Sequence, residues 1–189
     1  MTGKTINGAR RDRQMRIPNA TVPTKNGSAI VQPSFMSHGT LECRNMKDSR
    51  KFYEEFLGLE CVRHALPAMV IRCGLKFHIV CVEVGDNVHP LNVLNHWGID
   101  VESREKVDEA HQNALKYQEQ YKIKQVLKPN LQHGVYSFYL EDLDHNWWEV
   151  QSIDGFQHDD MFDFGDRFTD DDAADTGALD ELKVQNSAH

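Results

Sequence analysis

No stretch of the 189 residues approaches the roughly 18 consecutive apolar residues that span a bilayer. The N-terminus is polar and basic, without the apolar segment of a signal peptide, so a cytoplasmic protein with no membrane partner is expected. Cysteine is sparse. The four present, Cys43, Cys61, Cys73 and Cys81, show no CxxC or zinc-ribbon spacing, which argues against a structural zinc site. Three of them sit in apolar surroundings and read as reduced core thiols. The Asp170-Asp171-Asp172 run lacks the glycine and distal glutamate of a calcium loop. Six basic groups crowd residues 1–35 (Lys4, Arg10, Arg11, Arg13, Arg16, Lys25), opposed only by Asp12. They have no interleaved aromatics and belong to a chain of net charge −8, so nucleic acid is not the expected partner.

What is present is globular. Apolar residues make up 40% and charged residues 26%, enough to build one core of ordinary size. Residues 1–35 read as a basic N-terminal arm. Residues 154–189 read as an acidic arm, ten acids standing against Arg167 and Lys183 from residue 157 onward. The compact block is residues 36–153.

Inside that block the sequence nearly repeats. Ser37-His38-Gly39-Thr40-Leu41-Glu42-Cys43 is echoed by Asn95-His96-Trp97-Gly98-Ile99-Asp100-Val101. Each copy has a histidine, an alternating strand, and an acid four residues after the histidine. A helix should follow each: one capped by Asp48, carrying Phe52, Tyr53, Phe56 and Leu57 and stopped by Gly58; one capped by Ser103, carrying Val107, Ala110, Ala114 and Leu115. Three strands should then follow in each half: Glu60–His64, Met69–Arg72 and Phe77–Val84, then Lys124–Leu127, Val135–Glu141 and Asn146–Ser152. The expected class is α+β, built from two βαβββ modules.

Strand alternation sorts the faces. Trp97, Ile99 and Val101 share one side and His96, Gly98 and Asp100 the other; Leu41 and Cys43 likewise oppose His38, Thr40 and Glu42. The apolar sides belong against the helices, so both histidines are expected to point to the opposite side, into the space that the two halves enclose. A single histidine so placed is more often structural, but two at equivalent positions of a duplicated unit mark a shared site. In the last hairpin, centred on Asp144, Tyr139 should lie opposite Glu149. Glu149 is flanked by Trp148 and Val150, a setting in which an unpaired carboxylate is costly and a metal relieves the cost. His38, His96 and Glu149 thus form a candidate two-histidine, one-carboxylate triad with open positions. That arrangement suits Fe(II) and Mn(II), and its ligand types also accept Zn(II), Ni(II) and Co(II).

With those residues in place, the block resembles the vicinal-oxygen-chelate superfamily, which includes glyoxalase I, bleomycin- and fosfomycin-resistance proteins and type I extradiol dioxygenases. The resemblance implies that the two modules form an open cupped mixed sheet around one divalent metal, Fe(II) in the dioxygenases. It is nearest to single-module extradiol enzymes, which open catechol-like aromatic rings with O2. In those enzymes a histidine opening the strand run before the second metal histidine moves protons, and His78 in Phe77-His78-Ile79-Val80-Cys81-Val82 matches it. A tyrosine ten residues before the metal glutamate contacts substrate, and Tyr139 matches it. His133 is the candidate for a further histidine upstream. The usual Pro–Gly turn before the glutamate is missing, with Leu143 and His145 in those places. The resemblance leaves two alternatives: a glyoxalase-like isomerase, epimerase or lyase, with Glu83 as a fourth ligand and counterpart of Glu149, and a non-catalytic small-molecule binding protein. The partners expected are an aromatic small molecule, O2 and a second copy in a homodimer.

Overall fold

A computed structural model describes residues 30–31, 36–74, 77–132 and 134–153. The chain divides into two compact units, residues 1–152 and 153–189. Of the second only Ile153 is described; the expected acidic arm, and the basic arm apart from residues 30 and 31, lie outside the described residues.

The first module runs β1 (His38–Cys43), α1 (Met46–Lys51), β2 (Glu60–Ala65), β3 (Ala68–Arg72) and β4 (His78–Glu83). The second runs β5 (His96–Asp100), α2 (Arg104–Lys116), a helical turn α3 (Gln118–Tyr121), β6 (Gln125–Val126), β7 (Asn130–Gln132), β8 (Val135–Glu141) and β9 (Trp147–Ile153). The duplicated βαβββ pattern is therefore present, with α3 and β7 added to the second copy. Each module forms its own sheet, in the order β1-β4-β3-β2 for the first and β5-β9-β8-β6 for the second, with β7 on β8. In each sheet the histidine-bearing strand runs parallel to the module's last strand.

Local chemistry explains the helix boundaries. Asn45, rather than Asp48, caps α1: its side chain accepts from the Asp48 amide at 3.1 Å. An amide oxygen in extended backbone is one of the favoured caps, and Asp48 is left inside the first turn, where a negative charge still suits the helix dipole. Past Lys51 the helix widens into a π turn, Phe52–Phe56, and Gly58 closes it at φ +70°. Ser103 caps α2 as expected, and Val107 and Ala114 are buried while Leu115 is turned out to solvent.

Both modules contribute to one core. Leu41, Cys43, Met69, Ile71 and Cys81 from the first sheet join Phe138, Leu140, Trp148 and Val150 from the second, with Phe52 and Tyr53 of the first helix between them. The Tyr53 ring lies 5.5 Å from Trp148, and Trp97 lies so close over Gly39 that any side chain there would collide with it. The tip of the β8–β9 hairpin bolts the halves together. The fully buried Asp142 carboxylate accepts from Tyr53 Oη and Trp148 Nε1, each at 3.1 Å, and from the amides of Asp144 and Asn146. Asp144 accepts from Ser49 Oγ and the Arg44 amide, while Asn146 donates to the Glu42 carbonyl. Burial lifts Asp142 to about 6, the hydrogen bonds from Trp148 and Asn146 holding it back from rising further.

Candidate metal centre

His96 opens β5, where it sits beside Trp147 of β9, with Gly98 beside Glu149. Its Nδ1 lies 2.7 Å from the Val93 carbonyl and its Nε2 lies 3.2 Å from Oε2 of Glu149. A backbone acceptor on Nδ1 keeps a proton there and leaves Nε2 to face Glu149, the arrangement that metal-ligating histidines use once Nε2 gives up its own proton. Glu149 is only 12% exposed at its side chain, between the buried Trp148 and Val150. Burial pushes its carboxyl up, but hydrogen bonds from His96, Ser137 and Tyr139 together outweigh burial and hold it below the usual carboxylate range. The hydrogen bond to Glu149 is also the main reason that His96 is lifted above the ordinary histidine value. Tyr139 meets the His96 ring edge-on at 5.0 Å. Burial, then the Glu149 carboxylate, pushes its hydroxyl up to about 12, so it stays a hydrogen-bond donor at neutral pH. His96, Glu149 and Tyr139 are thus brought together as the hairpin spacing implied.

His38 stands elsewhere. It opens β1 in register with His78, exposed, and the two imidazoles stack at 5.7 Å and 15°. Ser37 Oγ lies 2.8 Å from its Nδ1. Gly39, Leu41 and Cys43 face Trp97 and the common core, so alternation turns His38, Thr40 and Glu42 to the outer side of the first sheet. In the second sheet Trp148 and Val150 face the same core, which turns Glu149 outward from it as well. The two halves meet through their apolar faces and do not enclose the histidines between them. Among the described residues no three His, Cys, Asp or Glu side chains gather closely enough to hold one metal. His133 lies outside the described residues.

Glu83 is not the counterpart of Glu149. Two residues after His96, Gly98 pairs with Glu149; two residues after His38, Thr40 pairs with Val80. Glu83 belongs to the core-side alternation of β4, and its Oε2 accepts from the Met46 amide at 2.7 Å, serving the N-terminus of α1. His78 occupies the side shared with His38. Sequence reading missed Ser137, which bonds Glu149 and could have been found as the residue two before Tyr139 on the same strand face. The Val93 carbonyl carried no side-chain signal at all.

The donor set suits a divalent cation at two positions, since an oriented imidazole nitrogen and a carboxylate converge there within one chain. No family model matches the chain, and no curated protein matches it either. Solved structures do. Hypothetical protein SA1046 from S. aureus is 20% identical, covers 66% of this chain and 95% of its own, and superposes with a TM-score of 0.50. Lactoylglutathione lyase from Agrobacterium tumefaciens is 22% identical, with 66% and 99% covered and a TM-score of 0.48. The fosfomycin resistance protein FosX from Listeria monocytogenes is 21% identical, with 64% and 94% covered and a TM-score of 0.49. The likeness is one of fold. Structural neighbours at 17–24% identity include glyoxalase, fosfomycin-resistance and glyoxalase/bleomycin resistance/dioxygenase proteins, and what they share with this chain is the fold. Among the described residues no helix is long and apolar enough to cross a membrane.

Proposed function

We propose that the chain is a divalent-metal enzyme of extradiol type, which opens a catechol-like aromatic ring with O2. The observation that carries this reading is the His96–Glu149 pair, an imidazole fixed from behind by Val93 and aimed at a carboxylate kept ionised by three hydrogen bonds. The third ligand is His38, supplied by a second copy, because its own sheet faces away from the pair. Support for that pairing comes from the outer face of the first sheet, where Val62 is half exposed and Val70, Val80 and Val82 are incompletely buried. A metal bound there, Fe(II) in this reading, supplies Lewis-acid and one-electron chemistry to substrate and O2.

The chain's own residues then do the following. His78 of the copy that supplies His38, stacked on that ring, takes and returns a substrate hydroxyl proton. Tyr139, protonated beside Glu149, donates a hydrogen bond to a substrate oxygen. Glu83 is committed to α1, so the fourth carboxylate expected of the isomerase alternative is not offered on that face. The deciding experiment is metal analysis after anaerobic purification, followed by oxygen uptake on a catechol panel. Near-stoichiometric iron with uptake supports the reading. Stable zinc or nickel without uptake replaces it with an isomerase, epimerase or lyase, and no metal at all with a binding protein.

A further inference from the structure

The core side of β5 is incompletely covered. Trp97, Ile99 and, just past the strand's end, Val101 alternate along it, and all three are only partly buried although they pack against the common core. Two cavities lie beside them. Trp97 and Ile99 line the first, with Leu59, Ile71 and Trp148; Ile99 and Val101 line the second, with Phe56, Leu57 and Phe138. The two have Ile99 in common and enclose about 540 and 550 Å³, part of it open to solvent. Each is the size of an ordinary ligand pocket, and each is mostly apolar. A single segment borders both: Phe56 ends the π turn, Leu57 follows it, and Leu59 comes after Gly58. Such turns recur at functional sites. Part-exposed aromatic and aliphatic side chains gathered here are surface that a ligand can remove from water.

The polar residues differ between the two ends. Arg72, closing β3, lines the first cavity. Glu60 engages its Nε and Nη2 at 2.7 and 3.0 Å, which leaves the Nη1 donors without a partner among the described residues. The second cavity has Val101, Ala110 and Asn113 in common with a surface hollow that Asp100, Glu102 and Glu109 line, where Lys106 is already paired with Glu109 at 2.6 Å. An anion is therefore disfavoured at that end and favoured at Arg72. From Trp97 to Val101 is roughly 13 Å at the usual strand rise, the length of a chain of about ten carbons.

We propose that these cavities form one groove that binds an unbranched aliphatic carboxylate of medium length. Its chain lies along the core side of β5, past Trp97, Ile99 and Val101, and its carboxylate accepts from Arg72. The site is separate from the metal pair, because alternation along β5 turns His96 to the strand's other face, where it meets Glu149. It needs no metal and stands apart from the catechol reading.

Sodium decanoate is the probe, titrated calorimetrically into the full chain with a chelator present, so that a carboxylate held by a metal does not enter the reading. One molecule should bind per chain. Affinity should rise about 10-fold for each two carbons added from hexanoate to decanoate, the scale of two buried methylenes, and dodecanoate should gain nothing more. Affinity that keeps rising with length, or several molecules bound per chain, is adsorption to apolar surface and overturns the groove. Arg72→Gln should weaken decanoate about 10-fold, the scale of a lost hydrogen bond to a charged group, and leave decanol unchanged. Equal effects on the acid and the alcohol overturn the placement of the carboxylate. Ala110→Leu narrows the far end at a part-buried position, and should move the break in the series about two carbons shorter with hexanoate unaffected. An unaltered series in that variant, its melting temperature showing that it folds, overturns the placement of the chain along β5. No binding of decanoate by the wild type overturns the site altogether and leaves the reading of His96 and Glu149 as it stands.

Discussion

The two modules begin alike and end differently. In the second, the strand-opening histidine meets a glutamate in the neighbouring parallel strand, and backbone, tyrosine and serine all converge on that pair. In the first, the equivalent histidine meets a second histidine, and the glutamate's register position is Val80. One half sets a carboxylate against its strand-opening histidine and the other does not. The duplication supplies two copies of one scaffold, and divergence at single register positions gives the two histidines different neighbours, Glu149 in the second and His78 in the first.

The largest expected effect tests that division directly. Glu149→Ala or His96→Ala should weaken metal binding at least about 100-fold, read by anaerobic titration, whereas His38→Ala should lose only about 10-fold. If the site spans two copies, mixing His38→Ala with Glu149→Ala chains should restore binding at one site per mixed dimer. Mixed samples that bind no more than their parents would place the whole site within one chain, or dispense with His38.

A second expectation concerns the bolt between the halves. Asp142→Asn puts an amide donor against Tyr53, Trp148 and backbone donors, and should cost roughly 2–4 kcal/mol in urea unfolding. Its pH dependence has a definite sign. Burial raises the folded value from 3.8 to about 6, so this carboxyl contributes stability that is fully present below its ordinary value and lost as the pH rises through about 6. The variant should therefore show a flatter profile than wild type between about pH 4 and pH 7. An unchanged slope would mean that another buried group dominates the range.

The contact between the modules should yield to Gly39→Ala, which drives a methyl group into Trp97. The cost expected is about 1–3 kcal/mol, and a second change, Trp97→Leu, should recover part of it in a double-mutant cycle. Strictly additive costs would show that the two residues do not touch. Smallest of all are the caps. Asn45→Ala and Ser103→Ala should each cost about 0.5–2 kcal/mol, the former more, because the Asn45 contact is 3.1 Å and that of Ser103 is 3.4 Å. Equal losses in thermal unfolding would set that ranking aside.

Much of this was legible in one sequence because it depends on short-range periodicity. Alternation alone put Leu41 and Cys43 on the core side and His38 opposite them, though not in a space enclosed by the two halves, and Ser103 announced its helix. The centre of the hairpin put Tyr139 beside Glu149, since a tight turn fixes the offset of the residues on either side. The cap of α1 was misplaced by three residues because Asn45 and Asp48 are both good caps, and only the path of the chain out of β1 chooses between them. The partner of the first histidine was not legible. Parallel strands are joined by long connections, so register between β1 and β4 is set by packing against β3 and the helix, and nothing in the spacing distinguishes Val80 from Glu83. Nor could a repeat reveal which faces of its two copies meet. The sequence by itself determined two equivalent modules, their apolar faces and the His96, Tyr139 and Glu149 group. Tertiary structure alone decided that the apolar faces bury each other, because that removes the larger nonpolar area from water, and so left His38 and the His96–Glu149 pair on outward sides.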